Sequence, residues 1–213
     1  MNGLIKLIKS KYKNKFIYLI SPNKVKNNNF FTQLKEMFKL KKVAFFQLRL
    51  KYENKRNKII IGKKIKKLCD KYKVKYIIND DPLLAKKLDA DGCHLGQKDM
   101  SIISAKKIIG NKILGITCHN SKKFIKNAIK NKASYIALGA FFSTKTKHTK
   151  YRATIKILNW SKKTTKIPIV SIGGINNQNY KKLLLNKANF LAISSYIWNN
   201  KKYKPVEALK KIK

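Results

Sequence analysis

The stretch KVKYIINDDPLLAKKLDADGCHLGQKDM, residues 73–100, decides the architecture. It holds two short apolar runs of strand length, KYII (75–78) and GCHL (92–95), separated by a lysine-bearing segment that opens at Pro82 and ends in the turn KLDADG. A proline fits the first turn of a helix, where its missing N–H is not needed, and one reading of Asp80, two residues ahead of it, is as the cap of that helix, a role that does not exclude metal binding. Strand, helix and strand within so few residues imply a parallel pair joined by a right-handed crossover.

The same alternation runs outward in both directions. FIYLI (16–20), AFFQL (44–48), KILGI (112–116), YIAL (135–138), IPIVSI (167–172) and FLAIS (190–194) bring the number of apolar runs to eight. The segments between them carry apolar residues at helical spacing, as in Ile59, Gly62, Ile65, Leu68 and Cys69 before the third run. Eight such units in 213 residues predict an α/β fold, a single-domain (β/α)8 TIM barrel over residues 1–213, with residues 1–15 as a peripheral N-terminal extension. An open doubly wound sheet would also alternate, but neither GxGxxG nor GxxxxGK[ST] follows the first run, which removes the usual reason to prefer it. No linker, low-complexity block or longer repeat interrupts the series.

Composition narrows the function classes. No apolar stretch reaches the roughly 18 residues of a membrane span, and lysines interrupt the apolar positions of the first fifteen residues, so neither membrane insertion nor secretion is expected. Cys69, Cys93 and Cys118 are odd in number and widely spaced, which suits a reducing, cytosolic compartment. The net charge of +42 comes from 48 lysines and only three arginines, Arg49, Arg56 and Arg152, spread along the chain among asparagine and isoleucine. That pattern reads as compositional drift of the kind an AT-rich coding sequence produces, with a lysine-rich nucleic-acid-binding protein as the alternative reading. Specific nucleic-acid binding would call for clustered basic residues, arginine forks and a recognisable module. A lysine-coated surface still draws anions to any cleft, which favours small phosphorylated substrates.

The acids are more informative. Of nine in the chain, Asp80, Asp81, Asp89, Asp91 and Asp99 fall within residues 80–99. Asp89 and Asp91 lie in the KLDADG turn and are read as structural. Asp80 ends the third run and Asp99 sits in the loop HLGQKDM after the fourth, so in a barrel they converge at the carboxyl ends of adjacent strands. Two carboxylates about 4 Å apart repel by roughly 4 kcal/mol at an effective dielectric near 20, a penalty that Mg2+ would remove. Asp81 would add a third carboxylate nearby.

The other run ends agree. Past the second run, period two puts Gln47, Arg49 and Lys51 on one side and Leu48 and Leu50 on the other, and two cations sharing a face ask for an anion such as an oligophosphate. Ser143 to Lys147 form a hydroxyl- and ammonium-rich loop after the sixth run. Ile172-Gly173-Gly174-Ile175-Asn176, read as lying immediately before a helix, and Ser194-Ser195 end the last two, where barrels often hold phosphate. Zinc held by Cys93-His94 and Cys118-His119 is disfavoured, because strand neighbours point to opposite faces; the cysteines read as small buried hydrophobes, with His94 and His119 near the site.

Taken in order, QLRLK, IIND, ADGCHLGQKD, GITCH, STKTK, IGGIN and AISS, over residues 47–195, resemble the thiamine-phosphate synthase family. The resemblance implies a (β/α)8 transferase joining a hydroxymethylpyrimidine pyrophosphate to a thiazole phosphate with Mg2+. It further implies that Gln47, Arg49, Lys51, Asn79, Thr117 and Lys147 hold the pyrimidine pyrophosphate. Thr144, Lys145, Thr146, Gly174, Ile193 and Ser194 would hold the thiazole phosphate, and Asp80 and Asp99 the metal. No side chain is expected to act as nucleophile or general base. The family often has serine where Thr117 stands, arginine at Asp81 and an acid at Lys98. A relative on the same barrel that only tautomerises the thiazole phosphate would not need Asn79, Asp80, Asp99 and Lys147. The sequence leaves open whether the chain forms a homo-oligomer.

Overall fold

The computed structural model describes residues 15–25, 29–144 and 152–213. All eight apolar runs become strands: β1 (Ile17–Ile20), β2 (Val43–Leu48), β3 (Lys75–Asn79), β4 (Gly92–Leu95), β5 (Ile113–His119), β6 (Tyr135–Gly139), β7 (Ile169–Ile172) and β8 (Phe190–Ile193). Each pairs in parallel with the next, and β8 pairs with β1, closing the barrel. The helices are α1 (Asn29–Lys39), α2 (Lys55–Tyr72), α3 (Pro82–Lys87), α4 (Ile102–Ile109), α5 (Lys122–Lys130), α6 (Ile155–Thr164), α7 (Tyr180–Leu185), α8 (Ser195–Trp198) and α9 (Pro205–Lys210). None of the described helices is long and apolar enough to cross a membrane. Except for Lys15, the N-terminal extension expected over residues 1–15 lies outside the described residues.

The strand period of two sorts the apolar residues into two cores. Leu19, Phe46, Ile78, Cys93, Leu114 and Cys118 face the helices, while Tyr18, Phe45, Ile77, Tyr135, Val170 and Phe190 fill the bore. The ring of Phe45 lies 5.3 Å from that of Tyr18, 5.0 Å from Phe190 and 6.2 Å from Tyr135, an aromatic plug. Gly115 of β5 makes room for it. A Cβ there would lie 1.9 Å from Tyr135 Cζ, so only glycine lets that ring cross the bore.

The acids of the KLDADG turn are structural, as read. Asp91 pairs with Lys75 and accepts the Tyr76 N–H at 2.9 Å, and Asp89 meets Lys112 at 2.5 Å, tying the starts of β3 and β5 to that turn. Two local expectations need correction. The cap of α3 is Asp81, which accepts the Leu84 N–H at 2.8 Å; Pro82 takes the first helical position, so the residue directly before it must be the cap. The Asp81 carboxylate is engaged at the helix end and adds no free third carboxylate to Asp80. Nor does a helix follow directly on the stretch Ile172 to Asn176. Helix α7 begins only at Tyr180, after a turn in which Asn176 Oδ1 accepts the N–H groups of Gln178 and Asn179.

Candidate active site

The carboxyl ends of the strands form a rim that carries Arg49, Lys51, Asn79, Asp80 and Asp99. At the end of β3, Asp80 turns away from Asn79 in a left-handed conformation (φ 64°) and donates its N–H to His94 O of β4 at 2.8 Å. Asp99 folds back in the next loop, its Oδ2 accepting the Gly96 N–H at 2.7 Å. The Asp80 and Asp99 carboxyls come within hydrogen-bonding reach of each other. Burial, and then the neighbouring Asp99, push the Asp80 carboxyl up to about 6, while Lys51 and Arg49 pull it back. The two acids thus face one another with the two cations after β2 close by.

Arg49 is oriented by the end of β1. Its N–H donates to Ser21 Oγ at 2.8 Å and its guanidinium donates to Asn23 Oδ1. Burial lowers its pKa, and the field of Asp80 opposes that shift. Leu48 and Leu50 are buried, Gln47 points into the bore, and Lys51 is exposed, matching the alternation expected. Asn79 is half-buried at the last position of β3.

Beyond the two acids, the bore holds a continuous line of polar side chains. Gln47 Nε2 donates to Tyr18 Oη at 3.3 Å; the Tyr18 and Tyr135 hydroxyls are 2.7 Å apart. Tyr135 Oη lies 2.9 Å from His94 Nδ1, and His94 Nε2 lies 2.8 Å from Thr117 Oγ1. The imidazole also stacks on Tyr135, with centroids 5.5 Å apart. Burial pushes His94 down to about 4 and raises both phenols, so all three rings are neutral near pH 7.

On the far side, the loops after β6 and β7 are zipped together. Phe141 and Phe142 donate their N–H groups to Ile172 O at 3.1 Å and Gly173 O at 3.0 Å. Gly174 has φ 64°, and a Cβ on it would lie 2.2 Å from Ser143 O. Thr144 is half-buried beside this junction. Ser194 Oγ donates to Ser21 O at 3.3 Å, and Ile193 packs its side chain towards the helices, leaving only its main chain to face the rim. Lys145, Thr146 and Lys147 lie outside the described residues.

Among the described residues no group of three or more His, Cys, Asp or Glu side chains is placed to hold a metal ion. The hard oxygen pair Asp80 and Asp99 fits Mg2+, which commonly takes one or two carboxylates and completes its octahedron with water and phosphate oxygens. Zinc does not fit: Cys93 and Cys118 are buried on the helix-facing side, while His94 points into the bore. The residues missed by sequence reading are Ser21, Asn23, Tyr18 and Tyr135. Ser21 and Asn23 follow an apolar run end just as Arg49 does, and that position was a usable signal.

Fold and rim together define a class, the (β/α)8 barrels whose strand carboxyl ends carry a polar, charged rim. The family model described as thiamine monophosphate synthase matches residues 17–197. A thiamine-phosphate synthase from Pelagibacter ubique is 64% identical over 204 residues, covering 96% of this chain and 99% of that protein. One from Erythrobacter litoralis is 34% identical, covering 90% and 92%. Among solved structures, thiamine phosphate pyrophosphorylase from Pyrococcus furiosus superposes with a TM-score of 0.82 at 28% identity, covering 95% of each chain. The chain belongs to the thiamine monophosphate synthase family, a family of transferase enzymes.

Proposed function

We propose that this chain, acting as a single cytosolic barrel, is a Mg2+-dependent thiamine-phosphate synthase. It joins a hydroxymethylpyrimidine pyrophosphate to a thiazole phosphate and releases pyrophosphate. The observation that carries this reading is the meeting of Asp80 and Asp99 beside Arg49 and Lys51 at one rim. Three free, buried cysteines accord with a reducing compartment.

In the reaction the bond between the pyrimidine methylene carbon and the diphosphate oxygen breaks, and the thiazole nitrogen lone pair forms the new carbon–nitrogen bond. The aminopyrimidine delocalises positive charge on the methylene carbon, so the chief task is to stabilise the departing diphosphate. Mg2+, when held by Asp80 and Asp99, supplies positive charge to the leaving oxygens. Arg49, fixed by Ser21 and Asn23, presents its guanidinium to the diphosphate in a preset orientation. Lys51 and Lys147 add neutralising charge, while Gln47, Asn79 and Thr117 complete the hold on the pyrimidine pyrophosphate. Thr144, Lys145 and Thr146, with Gly174, Ile193 and Ser194, hold the thiazole phosphate so that its nitrogen lies in line with the methylene carbon. No proton needs to be abstracted, so no general base is assigned.

The test is direct. Purified protein is incubated with both substrates and Mg2+, and thiamine phosphate is read by fluorescence after oxidation. Product formation that stops on metal chelation and returns with Mg2+ supports the reading; no product from folded protein overturns it.

A further inference from the structure

The line of hydrogen bonds through the bore has a direction, and the direction is set at one end. An amide NH2 can only donate, so Tyr18 Oη accepts from Gln47; accepting a second bond from Tyr135 would strand the Tyr18 proton in the buried bore, so that proton goes to Tyr135 Oη. Tyr135 gives its own proton to His94 Nδ1. That nitrogen is then a bare acceptor, the proton of the neutral imidazole sits on Nε2, and Nε2–H donates to Thr117 Oγ1. With its oxygen already accepting, Thr117 keeps one hydroxyl proton, for which the described residues supply no hydrogen-bond acceptor.

We infer that the relay Gln47–Tyr18–Tyr135–His94 makes the Thr117 hydroxyl a committed donor, and that His94 is a positioning residue acting through Thr117 to select an acceptor-only ligand, the diphosphate oxygens. This rests on the proposed reaction for the identity of that ligand. The hydrogen-bond polarity does not. An isolated threonine hydroxyl rotates and serves as donor or acceptor; here its role is set before the ligand arrives. The relay is a built feature. Gly115 is what admits Tyr135 to the bore, and none of the relay's side-chain atoms is among the buried, partnerless polar atoms of the described residues.

The experiment reads the tautomer first. In 15N-labelled protein, His94 Nδ1 is expected to show a pyridine-type shift and Nε2 a pyrrole-type shift. In Gln47→Glu, a carboxylate accepts from Tyr18, every bond in the relay turns around, and His94 is expected to switch to the Nδ1–H form. A switch caused by a change two tyrosines away has no explanation in packing alone. The Nδ1–H form in the parent, or the same tautomer in both proteins, overturns the inference.

Binding of pyrophosphate with Mg2+ supplies the second reading, with Tyr135→Phe and Thr117→Val each checked for folding by circular dichroism. Each is expected to weaken binding roughly tenfold, the loss of one hydrogen bond to a charged group, and the double variant no more than either alone. Losses that multiply would show that Tyr135 does not act through Thr117. Failure of the folded parent to bind pyrophosphate would sink the proposed reaction and its ligand, while the tautomer measurement would still decide the relay's polarity.

Discussion

Replacing Asp80 by asparagine should make the metal-free protein more stable, although it removes a residue assigned to the site. The folded state holds the Asp80 proton up to about pH 6, against an ordinary value of 3.8. Between those values the folded chain binds more protons than the unfolded one, so stability falls as pH rises from 3.8 to 6 and stays reduced above. Such a shift corresponds to about 3 kcal/mol; the carboxyl is partly enclosed against Asp99, but the residue as a whole stays open to water, and solvent screening leaves roughly 1 kcal/mol. For a chain of this size that is about 2–4 °C in melting temperature. Asparagine suits the test, since it keeps the side-chain shape and tolerates the left-handed backbone at this position. Thermal melts with chelator at pH 7.5 should place Asp80→Asn above the parent by that margin. At a pH below 3.8, where the carboxyl is protonated in both states, the gap should close, and added Mg2+ should narrow it at pH 7.5 by stabilising the parent. A variant that melts lower than the parent at pH 7.5, or a gap of equal size at both pH values, refutes the electrostatic reasoning.

Asp99→Ala should nearly abolish Mg2+-dependent pyrophosphate release while the circular dichroism spectrum stays unchanged; release at the parental rate would remove Asp99 from the metal site. Gly115→Ala should cost about 1–3 kcal/mol or more in urea unfolding, because its Cβ would overlap the Tyr135 ring, and a cost near zero would mean that the ring has another place to go. His94, pushed down to about 4 from 6.5, contributes stability that is present above pH 6.5 and is lost as pH falls towards 4. Comparing parent with His94→Gln isolates that loss, and the urea midpoint of the variant should fall less steeply between pH 6.5 and 4.

The barrel was legible because each strand is a short apolar run bounded by lysine-rich helix, a contrast that the charge composition sharpens. The same composition exposed Asp80 and Asp99, for in a chain that places lysine almost everywhere the few acids stand out. Tyr18 and Tyr135 were not legible as polar elements. Inside FIYLI and YIAL a tyrosine has the same hydrophobic signature as a core phenylalanine, and only closure of the barrel brings the two hydroxyls within 2.7 Å. Pairing across the rim was equally hidden: nothing local says that Asn23 meets the Arg49 guanidinium. The shift of the α3 cap from Asp80 to Asp81 has a simpler cause. Both acids precede Pro82, and the geometry of the first turn decides between them.

The aromatic plug has a consequence for traffic. Among the described residues the rings of Tyr18, Phe45, Tyr135 and Phe190 stop the bore, so whatever enters it at the rim leaves by the same mouth. Both products of the proposed condensation would share that doorway, so the one standing nearer to it would have to depart first.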